Sequence, residues 1–413
     1  MRSLLSLVMI VRDEAARICE TIGSARDAVD RFTIFDTGST DGTPDLVRQL
    51  AVDLGLPGTV HCEPAAGGPF DYAAARNHAL ALEAADPDAA SYALVLSGDE
   101  VLSGGVQLRA FLEEKRGDGC TDAEDAYLVR MFLDESEWDA ARVVPVGCGW
   151  VYESIGGVHE YLAHYEVDGV VEVPRERAPD AVSIRHEASD PERRFWSIVE
   201  HQIPALSAAL VEDPDDSRAL LFLAQATEAC FPALEGGELL SRRMEVMSFY
   251  LRRMQLRGDE EEVRYARARY LEVARQTGIY TPEEVLARFQ EACELDPDRA
   301  ENHLFRAFSA HEANRSLGEV RALALEAARV AEGAQGRRSR FPRNTSCLWR
   351  ALVLAARSSR RAAALADGED REAGLAEVAQ LADRAYRAGC PAEVRDALLS
   401  PLPERNSLPE RAA

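Results

Sequence analysis

Residues Arg31 to Thr43 read RFTIFDTGSTDGT, and the fold of the first half of the chain turns on how that run is interpreted. Phe32 to Phe35 is a short apolar stretch rich in β-formers that stops abruptly at Asp36, the pattern of a buried parallel strand. In open α/β sheets, ligands bind beyond the carboxyl ends of the strands. A strand that empties into Asp36, a Gly/Ser/Thr turn and a second acid, Asp41, therefore predicts a binding lip. The turn hydroxyls and amides can hold ribose or phosphate oxygens, and Asp36 can accept from a base or a ribose hydroxyl. The same residues also suit an ordinary turn, because Asp, Gly, Ser and Thr tolerate turn geometry and cap the following helix.

Working outward, two more apolar runs end on charge. Ser6 to Val11 runs into Arg12, Asp13 and Glu14, and Leu94 to Leu96 runs into Ser97, Gly98, Asp99 and Glu100. Ala15 to Val29 carries Ile18, Ile22, Ala25 and Val29 at helical spacing, which gives strand, helix, strand by residue 35. Pro44 to Leu54 reads as a second helix with Thr43 as its cap, and Pro44 suits the first helical position. Thr59 to Cys62 is a short strand; after a loop containing Gly67, Gly68 and Pro69, Tyr72 to Ala84 returns to helix. Three strands thus deliver acids to one edge.

As an ordered set, SLVMIVRDEAARI, FDTGSTDGT, the Phe70-Asp71-Tyr72 and Ala75-Arg76-Asn77 portions of FDYAAARNHAL, and LVLSGDE resemble the family-2 glycosyltransferases of the GT-A fold. The resemblance covers roughly residues 4 to 190. It implies an α/β, Rossmann-like mixed sheet and the transfer of a sugar, with inversion, from a nucleoside diphosphate donor such as a UDP-sugar. On that implication Asp13, Glu14, Asp36 and Asp41 belong to the nucleoside lip, and Arg76 faces a donor phosphate.

LSGDE stands where the family carries its DxD motif. Asp99 is then the main ligand of a divalent cation, Mn²⁺ or Mg²⁺, and Ser97 occupies the position of the first acid. Magnesium takes only one or two protein carboxylates beside substrate phosphates and water, so one acid can suffice. Ala181 to His186 reads as a last strand, and the resemblance makes His186 a further metal ligand. The block Gly156 to Glu160 matches the acceptor side, where His159 and Glu160 form a titratable pair suited to deprotonating a hydroxyl or thiol.

With 413 residues, the chain exceeds a usual single domain. Acids outnumber bases, 71 to 47, and the net charge of −24 repels nucleic acid and anionic membranes. A nucleotide sugar is repelled as well, which favours a cation at the carboxylate edge. Eight cysteines are scattered without a CxxC pair, arguing against a zinc module or disulfide scaffold and for a reducing cytoplasm. The apolar start meets Asp13 and Glu14 at once and reads as a core strand, not a leader. No run approaches the roughly 18 apolar residues of a membrane span.

From about Asp190 the β-branched runs vanish and Ala, Leu, Glu and Arg dominate. The expected division is 1–190, a GT-A domain, and 191–413, a helical-repeat domain. Asp213-Pro-Asp and Asp296-Pro-Asp each open an amphipathic helix, and further helices are expected over 262–276, 282–294, 318–332, 348–365 and 371–389. The pattern loosely resembles tetratricopeptide hairpins, whose period is about 34 residues. Such a stack offers a concave surface for a peptide, protein or glycan acceptor, or for a homodimer. Arg337 to Arg343 forms one basic run, read chiefly as a solvated loop, and a proline-rich tail follows Pro401. The competing reading is a nucleotide-sugar-binding scaffold with a degenerate catalytic site, for which Ser97 is the main argument. A nucleotidyltransferase lacks support because no glycine-rich phosphate cradle follows the first strand.

Overall fold

The computed structural model describes residues 3–63, 70–117, 125–165, 171–172, 174, 176–187, 191–334 and 339–402. The loop glycines Gly67 and Gly68, Arg337 and Arg338 of the basic run, and the tail beyond residue 402 lie outside the described residues. The chain divides into two compact units, within Met1–Cys230 with Arg338–Arg340 and within Phe231–Arg337 with Phe341–Ala413.

In the first unit, β1 (Leu5–Val11), β2 (Arg31–Asp36), β3 (Gly58–Cys62) and β4 (Tyr92–Leu96) run parallel in the order β3-β2-β1-β4. All seven residues of β1 are buried, as a strand covered on both faces requires. Leu5, Leu7 and Met9 pack with Ile18 and Ile22 of α1 (Ile18–Ala25) and Val47 of α2 (Thr43–Leu54). On the opposite face, Val8 and Ile10 meet Ala75 and Ala79 of α3 (Tyr72–Ala85).

The sheet continues with a changed sense. β5 (Glu100–Ser103), β6 (Tyr127–Leu133), β7 (Ser136–Pro145) and β12 (Ser183–His186) extend the order as β4-β7-β6-β12-β5, and α4 (Gly105–Gly117) follows β5. β7 lies antiparallel to β4 and β6, whereas β12 runs parallel to β6 and antiparallel to β5. Short β11 (Glu176–Arg177) joins β6. A separate antiparallel sheet comprises β8 (Trp150–Ile155), β9 (His159–Tyr165) and β10 (Val171–Glu172). Three helices complete this unit: α5 (Pro191–Ser197), α6 (Ile203–Glu212) and α7 (Ser217–Ala229), with a wide π-helical turn at Ile198–Gln202.

Two local expectations are revised. The helix expected from Ala15 to Val29 is confined to Ile18–Ala25, because Glu14 to Arg17 form a turn tied to the lip. Thr43 is the first residue of α2 and not its cap. Gly42 takes the cap position at φ 88°, where a side chain would be strained, and Asp41 accepts from the Thr43 amide.

Among its described residues the second unit is helical apart from the two-residue strand Arg343–Asn344. Its first helix, α8 (Gly236–Gln255), has no counterpart among the expected segments. Then α9 (Glu260–Arg275), α10 (Pro282–Leu295), α11 (Ala300–Glu312), α12 (Leu317–Ala334), α13 (Cys347–Leu365) and α14 (Gly368–Arg387) match expected segments within a few residues, and the last helix, α15 (Ala392–Leu399), again has no counterpart. Successive helices pack on one another, and an alanine-rich seam including Ala307, Ala324, Ala328, Ala351 and Ala355 lets them approach closely. Thr281 and Glu284 form a full capping box at the start of α10, after Gly278 has turned the chain at φ 70°.

Candidate functional site

The register Val11↔Asp36 and Met9↔Leu96 brings the ends of β1, β2 and β4 to one edge. There the loop after β1 is laced to the loop after β2. The Asp13 amide donates to Ser39 Oγ at 2.8 Å, and Asp13 Oδ1 accepts from the Thr40 amide at 2.7 Å. The Glu14 amide donates to Thr43 Oγ1, and Asp41 accepts from the Ala15 amide and the Thr43 hydroxyl. That hydroxyl bond, aided by the two amides, holds the Asp41 carboxyl below its usual range. Asp13, Glu14 and Asp41 thus build the lip with their own backbone and side-chain groups.

Asp36 differs from them. It is 2% exposed, its Oδ1 accepts from the amides of Gly38 and Ser39 at 3.0 and 2.9 Å, and its Oδ2 is buried with no hydrogen-bond partner. Burying a carboxylate oxygen without a donor is costly, which makes this atom a natural acceptor for a ligand N–H or O–H.

At the exit of β4 the chain turns tightly through Ser97–Glu100. Glu100, 1% exposed, accepts from the Ser97 amide with one oxygen and from Arg142 Nη2 with the other. The turn leaves Asp99 Oδ2 3.0 Å from His186 Nε2 and 4.0 Å from Arg17 Nη1. The pairing follows from register, since β12 delivers His186 opposite Glu100. Burial pushes the Asp99 carboxyl up, but the bond from His186 and the charge of Arg17 outweigh it and hold the group low; the same bond raises His186. The two predicted ligands therefore converge. A carboxylate oxygen and an imidazole nitrogen suit Mn²⁺, with substrate phosphates and water completing the shell. Among the described residues no cluster of three or more His, Cys, Asp or Glu could hold a metal on its own.

Arg76, 6% exposed, joins this turn to the second sheet. Its Nε donates to Glu160 Oε1 at 2.8 Å and its Nη2 to Ser97 Oγ at 3.2 Å, while Nη1 is buried and unpartnered. Its guanidinium also lies 5.7 Å from the centre of the Tyr152 ring. Burial works against its charge, but Glu160 outweighs burial and keeps it firmly protonated. Sequence reading assigned Arg76 to the donor and Glu160 to the acceptor; the fold makes them one ion pair.

α3 places Arg76 through its neighbours. Asp71 caps the helix by accepting from Ala74, the Tyr72 amide donates to Gly157 O, and Asn77 exchanges two 2.8 Å bonds with the Tyr152 backbone. His159, expected to act together with Glu160, packs elsewhere. Its ring stacks on Phe222 at 4.2 Å and 15°, and burial pushes its pKa down.

Ser97, Asp99, Arg76, Glu160 and His186 are thus assembled about one turn, and Asp36 ends β2 on the same sheet edge, with β1 between β2 and β4. Sequence reasoning missed Arg142, Arg17 and Asn77. Asn77 follows Arg76 directly and was visible as part of the motif; Arg142 and Arg17 carry no local signal, because only sheet order and the turn after β1 bring them here.

No family model matches the chain. A TPR repeat-containing protein of Synechococcus elongatus is 36% identical over 111 residues, which span 26% of this chain and 24% of that protein. The chain therefore matches about a quarter of that relative's length. The solved structure of a thermophilic TPR protein from Thermus thermophilus covers 51% of this chain and 97% of its own at 15% identity, with a TM-score of 0.26, too low to carry an argument. The curated likeness and the hairpin packing support a tetratricopeptide-like helical region. Among the described residues, no helix is long and apolar enough to cross a membrane.

Proposed function

We propose that the chain is a family-2 glycosyltransferase whose first unit has the GT-A fold, moving a sugar with inversion from a nucleoside diphosphate sugar, a UDP-sugar in the first instance, to a peptide, protein or glycan acceptor. The observation that carries this reading is the meeting of Asp99 Oδ2 and His186 Nε2 at 3.0 Å beside a buried Arg76 whose Nη1 lacks a partner. A leaving diphosphate needs charge neutralisation where the glycosidic bond breaks, and these groups stand together at the edge where the parallel strands of the mixed sheet end. Asp36 Oδ2 would take the nucleoside, within the lip laced by Asp13, Glu14, Ser39 and Asp41. Asp99 and His186 would hold Mn²⁺ or Mg²⁺, whose contribution when bound is Lewis-acid stabilisation of the diphosphate.

Nη1 of Arg76 is the nitrogen left for a phosphate oxygen while Nε stays with Glu160. In the transfer step the acceptor oxygen or sulfur bonds to the anomeric carbon, and the phosphate oxygen departs with the electron pair of the broken bond. The acceptor proton passes to the Glu160 carboxylate, whose charge Arg76 balances beforehand. A cytoplasmic setting fits the cysteines, which are free among the described residues.

The second reading, a nucleotide-sugar-binding scaffold, draws on the mutual satisfaction of Asp99 and His186 and on Ser97, whose hydroxyl is spent on Arg76. A panel of nucleotide sugars, with Mn²⁺ and with chelator, scored for released nucleotide and product, separates the two. Metal-dependent release from one donor supports the enzyme; binding without release from any donor supports the scaffold.

A further inference from the structure

β9 alternates its side chains between two faces, as strands do. Glu160 points toward α3 and Arg76, whereas His159 and Tyr161 point the other way, toward α7. There Phe222 stacks on the His159 ring, and Arg218 lays its guanidinium 3.8 Å over the centre of the Tyr161 ring. Arg218 and Phe222 are one helical turn apart, so a single face of α7 covers two alternate residues of the strand. Gln202, in the π-helical turn before α6, hydrogen-bonds the His159 ring. Gly156, at φ 60°, brings the β8–β9 turn so near α6 that an added Cβ would lie 3.2 Å from Ala205 O.

Among the described residues, the front of the hairpin carries no comparable ring stack at Glu160. It is held by Asn77 on the Tyr152 backbone, Tyr72 on Gly157 O, the packing of Tyr152 and Leu162 against Ala73 and Val95, and the Arg76–Glu160 pair itself. A carboxylate fixed by one ion pair would follow its strand wherever the strand moved. The rings behind therefore add a second hold on the strand that carries Glu160.

We propose that Phe222 and Arg218 of α7 are positioning residues for Glu160, fixing the acceptor-side carboxylate through the rings of His159 and Tyr161, and that His159 serves as a packing post for the strand instead of as a base. The proposal rests on the glycosyltransferase reading for its catalytic consequence, but its mechanical content does not. Misplacing a catalytic group by about 1 Å can cost on the order of a hundredfold in rate. Losing the stack leaves the nucleoside lip untouched, since α7 has no part in it.

The test compares full-length Phe222→Ala, Phe222→Tyr, Arg218→Met and Glu160→Gln proteins. Phe222→Ala is expected to lower kcat by about ten- to a hundredfold with donor KM unchanged, Phe222→Tyr to restore it, and Arg218→Met to fall between. Combining Phe222→Ala with Glu160→Gln should slow transfer no further than Glu160→Gln alone. Amide hydrogen exchange supplies the readout that needs no activity: β9 should lose protection in Phe222→Ala while β1 keeps it. Unchanged β9 protection, or a raised donor KM at constant kcat, overturns the positioning role. Loss of β9 protection in a protein that transfers no sugar from any donor sustains the positioning and rejects the enzyme reading. Should Phe222→Ala not fold, Arg218→Met decides by the same measurements.

Discussion

Both compact units bury an arginine against a glutamate, and the pairs Arg253–Glu262 and Arg76–Glu160 are built on opposite plans. In the helical unit Arg253 is fully buried, and every nitrogen of its guanidinium is engaged: Nε and Nη2 donate to Glu262 Oε2 at 3.1 and 2.6 Å, Nη1 to Leu256 O, and Nη2 again to Asp259 O. The partners are 9 residues apart and close the turn between α8 and α9. In the sheet unit the Arg76 and Glu160 partners are 84 residues apart, and Nη1 of Arg76 has no acceptor. A buried ion pair carries a desolvation cost for each donor left unmet. A pair with every nitrogen engaged has little to offer a ligand, and one with an idle nitrogen has more. Unmet buried atoms occur in both units, at Asn302 and Arg343 of the helical one among them, so on the proposed reading it is an unmet bond at the sheet edge, and not an unmet bond alone, that offers a ligand a place.

The contrast can be broken by comparing stability with ligand response, and the largest stability loss is expected in the helical unit. Arg253→Ala leaves Glu262 buried without its counter-charge and should destabilise the protein by about 3–5 kcal/mol in denaturant unfolding, with no change in UDP affinity. A loss below about 1 kcal/mol would rank the pair with ordinary surface pairs. Arg76→Met should cost less stability, about 1–3 kcal/mol, because Glu160 keeps partial access to water. Its effect on sugar transfer should be greater, about a hundred- to a thousandfold. If Arg76→Met matches Arg253→Ala in stability and spares transfer, the two pairs are the same kind of object.

Much of the sheet edge was legible before any coordinates. Apolar runs that halt at Asp36, at Arg12 and at Ser97 fix both the parallel strands and the side on which they end, because side-chain chemistry changes where the sheet stops. The helical half was legible for the same reason, as periodicity is local. What stayed hidden depends on long-range register. Nothing near Arg142 in the sequence says that β7 will carry it to Glu100, and nothing near His159 says that Phe222 will cover it. The residue pair His159-Glu160 misled for a physical reason: neighbours in a strand face opposite ways, so adjacency in sequence argues against a shared site.

The Asp99–His186 pair lies between the two extremes, since its members satisfy each other yet remain partly exposed. Asp99 raises His186 above its ordinary 6.5, so the imidazole's stabilisation is complete below that pH and fades as pH rises through the raised folded value. Asp99 sits below its ordinary 3.8, so its share is complete above that pH and fades as pH falls through the lowered value. In chelator, wild type should therefore exceed His186→Gln in stability by about 1 kcal/mol or less between those limits. The gap should close as pH rises through the raised His186 value. A constant gap across the range would mean that His186 acts through packing, and the pair would join Arg253 on the structural side of the comparison.

The smallest expected change in stability belongs to Asp36→Asn, and it tests the unmet-bond argument most directly. Asn can keep an oxygen where Oδ1 accepts from Gly38 and Ser39, so the turn survives. Its amide replaces the orphaned Oδ2, exchanging a buried charge without a donor for a neutral group. These opposing effects should leave unfolding free energy within about 1 kcal/mol of wild type. The ligand should respond quite differently, because an N–H or O–H that met a carboxylate oxygen now meets a donor. Hydrogen bonds to charged groups contribute about 1.5–3 kcal/mol, so UDP affinity measured by calorimetry should drop roughly ten- to a hundredfold. Should the variant unfold much more easily and bind UDP as before, Asp36 is a turn residue only. The orphaned oxygen would then be a tolerated cost of the turn, and the same doubt would extend to Nη1 of Arg76, which is why this nearly silent substitution discriminates best.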